Sequence, residues 1–152
     1  MNNNDCLRRI RYILDFEDSK MIAIFGLANV ETDRAEISAW LKKDDDPDLL
    51  DCDDTSLASF LNGLIIALRG EKEGGVPEAE TKLTNNMIFM KLKIALNLKA
   101  DEILEILESA GQEISKHELS AFFRRPGHKH YRECKDQILR NFLKGLQINY
   151  RD

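Results

Sequence analysis

Residues 54–69, DTSLASFLNGLIIALR, return as residues 136–151, DQILRNFLKGLQINYR, displaced by 82 positions. Leu57, Phe60, Leu61, Leu64 and Leu68 fall at i, i+3, i+4, i+7 and i+11, one face of an α-helix, and Leu139, Phe142, Leu143, Leu146 and Tyr150 repeat that face. Gly63 and Gly145 stand inside both stretches, where glycine costs up to about 1 kcal/mol against alanine. Its recurrence therefore predicts a close helix crossing, which we place at a seam between the copies. Extended outward at the same displacement, residues 3–70 match residues 85–152 without a gap, with 18 identities in 68 pairs. Composition alone gives roughly 4. The chain is an internal duplication.

The remaining apolar residues repeat with the same helical spacing. Leu7, Ile10 and Leu14 correspond to Phe89, Leu92 and Leu96, and Met21, Ile24, Phe25 and Ala28 correspond to Ile103, Ile106, Leu107 and Ala110. Asp33 with Glu36, and Ser115 with Glu118, have the spacing of a capping box. A third helix is predicted from each, presenting Ile37, Trp40 and Leu41, or Leu119, Phe122 and Phe123. It is predicted to end at Asp44 in one copy and just before Pro126 in the other. Between the copies runs GEKEGGVPEAETKLT, a linker by its glycine, proline and glutamate content. The predicted organisation is helical repeat 1 over 1–70, a linker over 71–84 and helical repeat 2 over 85–152. No strand pattern is evident.

With 152 residues, 43% hydrophobic and 32% charged, the chain has the composition of a globular protein with a sizeable core. One repeat alone buries around 60% of its unfolded surface and is marginal, so the copies are expected to pack as a pseudo-two-fold pair. The start MNNNDCLRRI shows no secretory pattern, and apolar runs such as Leu64–Leu68 are too short to cross a bilayer. Cys6, Cys52 and Cys134 form an odd set without disulfide-framework spacing. A cytoplasmic protein without structural disulfides or membrane contact is expected.

Residues 1–70 carry 8 basic and 14 acidic side chains, residues 71–84 carry 2 and 4, and residues 85–152 carry 12 and 9, giving the overall −5. Such an acidic chain is a poor general binder of phosphate backbones, and only the second copy offers a basic face. The segment 103–125 has the look of a helix-turn-helix, with Lys116, Ser120, Arg124 and Arg125 as candidate nucleic-acid contacts. The equivalent helix of copy one offers Arg34, Ser38, Lys42 and Lys43, and its preceding turn lacks the usual glycine.

Two further sets carry chemistry. His128, His130 and Cys134 are zinc-type donors, standing where copy one has Asp46, Asp48 and Cys52. They are one donor short of a four-ligand site, in a connection of ordinary length, so no bound metal is expected and no cofactor is implied. The aspartate run from Asp44 to Asp54 lacks the spaced glycine and terminal glutamate of an EF-hand loop. No nucleophile motif, phosphate-cradling glycine loop or dinucleotide fingerprint occurs.

The stretches LRRIRYILDF, ISAWLKKDDD, ASFLNGLIIALRG, GHKHYREC and DQILRNFLKGL resemble the YehS-like proteins, a proteobacterial family of unknown function that carries one domain twice. The resemblance runs nearly end to end. It implies a duplicated helical domain in the bacterial cytoplasm and assigns no reaction, ligand or catalytic residue. The sequence therefore predicts an all-α protein of two tandem four-helix repeats, a non-enzymatic interaction module binding a protein partner or itself. Nucleic-acid binding through 103–125 is the alternative.

Overall fold

The computed structural model describes residues 1–152, and it converts each stretch of helical periodicity into an α-helix with no strand. Copy one forms α1 (Asn3–Leu14), α2 (Asp18–Leu27), α3 (Arg34–Trp40) and α4 (Asp54–Arg69). Copy two forms α5 (Asn85–Ala95), α6 (Ala100–Ser109), α7 (Lys116–Phe122) and α8 (Asp136–Tyr150). The chain is all-α, built as two tandem four-helix repeats, and it divides into two compact units, Met1–Leu83 and Thr84–Asp152. The end of the interrepeat segment is fastened to the first unit at the start of α4. There the Leu83 N–H donates to Asp54 Oδ2 at 2.9 Å and Thr55 Oγ1 donates to the Glu80 carbonyl at 3.2 Å.

Helix ends are the first element of the repeat that local chemistry dictates. Asp15 (φ 56°) and Asn97 (φ 54°) stand at equivalent positions after α1 and α5, and Asn29 (φ 63°) and Gly111 (φ 83°) do so after α2 and α6. Each lies in the left-handed region, which lets the next amide reach back to the last turn. Phe16 and Leu98 donate to the Arg11 and Lys93 carbonyls at 3.1 and 3.0 Å, and Val30 and Gln112 donate to those of Phe25 and Leu107 at 3.0 Å. Asn29 thus serves where copy two has Gly111, since asparagine is among the few side chains that tolerate this backbone. The turn that lacks a glycine is not defective.

The core of each unit is built on equivalent positions with one transposition. In the first, Leu7 on α1 and Phe25 on α2 are both fully buried, with the Phe25 ring 5.2 Å from Trp40 and 5.3 Å from Phe60. In the second, Phe89 on α5 and Leu107 on α6 occupy those places, and the Phe89 ring lies 4.5 Å from Phe142 and 5.0 Å from Phe123. The phenylalanine has moved to the neighbouring helix while leucine fills the vacated place. The exchange conserves the volume of this pair, the condition under which cores accept substitution. The predicted apolar face of the fourth helix runs past this core: Leu68 and Tyr150 are 43% and 44% exposed.

The glycine crossing lies within each copy, and this corrects the expectation of a seam between copies. A Cβ on Gly63 falls 2.0 Å from the Ile24 carbonyl oxygen on α2, and one on Gly145 falls 2.1 Å from that of Ile106 on α6. The second and fourth helices of each unit touch backbone to backbone there.

A second correction concerns the third helix. It stops at Trp40 and Phe122, before the predicted Asp44 and Pro126. Its last carbonyls are taken by remote partners: Asn4 and Asn86 donate through Nδ2 to the Trp40 and Phe122 carbonyls at 2.9 and 3.0 Å. The Leu50 and Arg132 amides bond the Ala39 and Ala121 carbonyls at 3.0 and 3.1 Å. Helical continuation would need those acceptors for itself. Of the two expected capping boxes, the Ser115–Glu118 box is closed at 3.0 Å in both directions, whereas the first start carries the forward half, Asp33 accepting from the Glu36 N–H at 2.8 Å.

Candidate functional site

The loops that follow the third helices, residues 41–53 and 123–135, share one internal frame. Asn4 and Asn86, 2% and 6% exposed, each grip a loop at three points. Beyond the helix-end carbonyl, Nδ2 donates to the Leu50 and Arg132 carbonyls at 2.8 Å. Oδ1 accepts from the Cys52 and Cys134 amides at 3.1 and 2.9 Å. The neighbouring Asn3 and Asn85 donate to the Cys52 and Cys134 carbonyls at 3.0 Å and to Asp54 and Asp136 Oδ1 at 2.7 Å. This last bond holds the Asp136 carboxyl below the ordinary carboxylate range. Every bond is reproduced in the second unit, so the two loops follow the same path.

Within that frame the thiols are inert. Cys52 and Cys134 are buried, turned toward the following carbonyl at 3.8 and 3.7 Å, and burial pushes both thiols up to about 12. Cys6 is also free and buried. Reactive thiolates require the opposite surroundings, positive and accessible.

On the outer side the loops are exposed, and their charges are opposite. Loop 41–53 carries two lysines against six aspartates, a net of −4, and loop 123–135 carries five cations against Glu133, a net of +4. Asp44 lies 3.3 Å from Arg8, Asp46 accepts from the Asp48 amide at 2.8 Å, and Asp53 caps α4 through the Ser56 N–H at 2.8 Å, its carboxyl held low by the Ser56 side chain and by that N–H. Asp45, Asp48 and Asp51 are directed to solvent, next to Leu50 at 44% exposure. In the second loop Arg124, Arg125, Lys129 and Arg132 are exposed, and Lys135 lies 3.4 Å from Glu133.

The candidate residues divide accordingly. Lys116 sits on α7 with its ammonium 3.4 Å from Asp101, and the Ser120 hydroxyl donates to the His117 carbonyl at 2.8 Å. Arg124 and Arg125 lie beyond the helix, at the start of the loop. His128 and His130 are on the surface with rings 5.5 Å apart, the His130 N–H donating to His128 Nδ1 at 3.0 Å. His117 joins them edge-on, 6.2 Å from His130, so all three histidines of the chain gather on one face. Cys134 points inward, away from them, and no three His, Cys, Asp or Glu side chains converge as a metal-ligand group.

Between α7 and the basic loop opens a groove of about 630 Å3, lined by Ala121, Phe122 and Tyr131, by His117, Lys129, His130 and Arg132, and by the carboxylates of Glu118 and Glu133. Lys129 and Arg132 are absent from the residues singled out by sequence. The signal was present in the gap-free pairing of the copies, which sets them against Pro47 and Leu50.

Two comparisons with known proteins agree with the duplication. The family model described as a protein of unknown function (DUF1456) matches residues 3–70 and again residues 85–152. The chain is similar to the uncharacterized protein YehS of Escherichia coli (strain K12), 44% identical over 147 residues, which cover 96% of this chain and 94% of the relative. No solved structure matches. No helix is long and apolar enough to cross a membrane.

Proposed function

The chain belongs to the DUF1456 family, and from that premise we propose that it is a non-enzymatic module of the cytoplasm that docks a protein partner or a second copy of itself. One observation carries the reading. The side chains repeated in both copies build the scaffold, in the glycine crossing, the asparagine grip and the buried core, whereas the exposed α3–α4 and α7–α8 loops reverse their charge on an unchanged frame. A frame held constant beneath a varied charged surface suits recognition, because complementary charge sets partner choice and encounter rate. Capture of a defined protein, or of the chain itself, with nuclease present is the expected outcome. Turnover of a metabolite at ordinary enzymatic rates, abolished by one surface substitution, refutes the reading.

Nucleic acid is the second reading, favoured by the exposed Arg124, Arg125 and Lys129 beside α7. The seven-residue α7 offers little length for a groove, and its Lys116 already faces Asp101. If this reading holds, the salt slope of duplex binding falls by about 1 for each phosphate-contacting cation removed. Absence of any association at low ionic strength eliminates it.

A further inference from the structure

Resting on the interaction-module reading, we propose that the occupant of the basic loop is the acidic loop of a second copy: residues 41–53 of one chain dock on residues 123–135 of another. Because Asn4 and Asn86 fix the two loops by the same bonds, the loops differ in side chains rather than in path. The reversal is one of net charge: Asp53 stands against Lys135, Asp46 and Asp48 against His128 and His130, and Pro47 and Leu50 against Lys129 and Arg132, while Lys42, Lys43 and Asp51 keep their sign as Arg124, Arg125 and Glu133.

The groups left over by internal pairing are complementary. Asp45, Asp48 and Asp51 remain outward on one loop and Arg124, Arg125 and Lys129 on the other. Shape adds to charge. Leu50 protrudes at 44% exposure amid the aspartates, and the groove beside the basic loop is lined by Ala121 and Phe122 together with Lys129 and Arg132 and the carboxylates of Glu118 and Glu133. Leu50 is the apolar group that the acidic loop offers to this groove, and the charge match rests on the surplus of cations over carboxylates along the basic loop.

Each chain bears one loop of each sign, so a second copy supplies the complement of either loop. A single exposed ion pair contributes at most about 1 kcal/mol. The contact therefore depends on several pairs acting together and on burial of Leu50, and it is sensitive to salt.

Sedimentation velocity of the full chain at low ionic strength and again in about 0.5 M salt, where charge interactions are screened within a few ångströms, tests this directly. A dimer that dissociates in salt is expected. Two triple variants sharpen the test: Asp45→Lys, Asp48→Lys and Asp51→Lys in one chain, and Arg124→Glu, Arg125→Glu and Lys129→Glu in another. Each is expected to be monomeric with unchanged helicity, the two mixed together to associate, and the six changes in one chain to restore self-association. A native chain that stays monomeric at low salt overturns the proposal whatever the variants do, and so does a dimer unaffected by either triple. A monomer that binds another macromolecule through the basic loop overturns self-docking and leaves the module reading standing. A metabolic turnover refutes the module reading itself.

Discussion

At the scale of single residues, one glycine is indispensable and another is replaceable, as their recurrence already indicates: Gly63 returns as Gly145, whereas Gly26 stands opposite Glu108. Gly63 lies inside α4, where alanine is ordinarily the better helix former by about 1 kcal/mol. The contact with the Ile24 carbonyl reverses that sign, because backbone cannot step aside as a flexible side chain can. Gly63→Ala, and likewise Gly145→Ala, is expected to destabilise by about 3 kcal/mol. Gly26 is also helical but has open space around the added methyl, so Gly26→Ala is expected to stabilise by about 0.5–1 kcal/mol. Urea melts of the three variants decide it, and a Gly63→Ala protein as stable as the parent would sink the crossing. The buried thiols give a pH dependence of known sign. Cys52 and Cys134 keep their protons to about 12 when folded, against 9.0 as the reference value. Unfolded chain therefore releases protons first, and stability is expected to fall as pH rises from about 9 toward 12. Replacing both cysteines by alanine should flatten that decline; an unchanged slope would show that other groups cause it.

Among elements, the transposed phenylalanine is the informative difference. Leu7→Phe alone overfills the first core and Phe25→Leu alone leaves a void, each expected to cost about 1–3 kcal/mol. Made together they recreate the Phe89 and Leu107 arrangement of the second unit. The double variant is expected to cost less than the two single changes added, a coupling of at least about 1 kcal/mol in a double-mutant cycle. Strict additivity would mean that the helices of the two units are not in equivalent places. The third helices show how an element can be bounded from outside: their starts are capped locally, whereas their ends are set by asparagines 36 positions away. Sequence periodicity located these helices but overran their ends, since it registers local preference and not a competitor for the last carbonyls.

For the whole molecule, duplication of small units bears on stability. Each unit has its own buried core, but a core of such size seldom supplies more than about 3–5 kcal/mol. Separated between Leu83 and Thr84, residues 1–83 and 84–152 are each expected to unfold with a free energy no higher than about 5 kcal/mol in urea titrations. A markedly higher value for either half would contradict the size argument. Cutting after Gly70 instead removes the Leu83–Asp54 bond at the start of α4, and residues 1–70 are expected to be less stable than residues 1–83.

The linear sequence by itself determined that the chain is helical and twofold, because helical period, N-caps and self-similarity are properties of residues a few positions apart or of direct repetition. It also displayed the opposite charges of the two loops and the absence of familiar nucleophile motifs. Packing in three dimensions decided which carbonyl each glycine meets, where the third helices stop and that Cys134, alone of the His128, His130 and Cys134 set, turns inward. It also revealed Lys129 and Arg132 on the groove beside α7. The helix ends, the glycine crossing and the inward thiol depend on contacts between residues 36 to 48 positions apart. At that separation the outcome depends on three-dimensional competition for hydrogen bonds and space, which local preference does not encode.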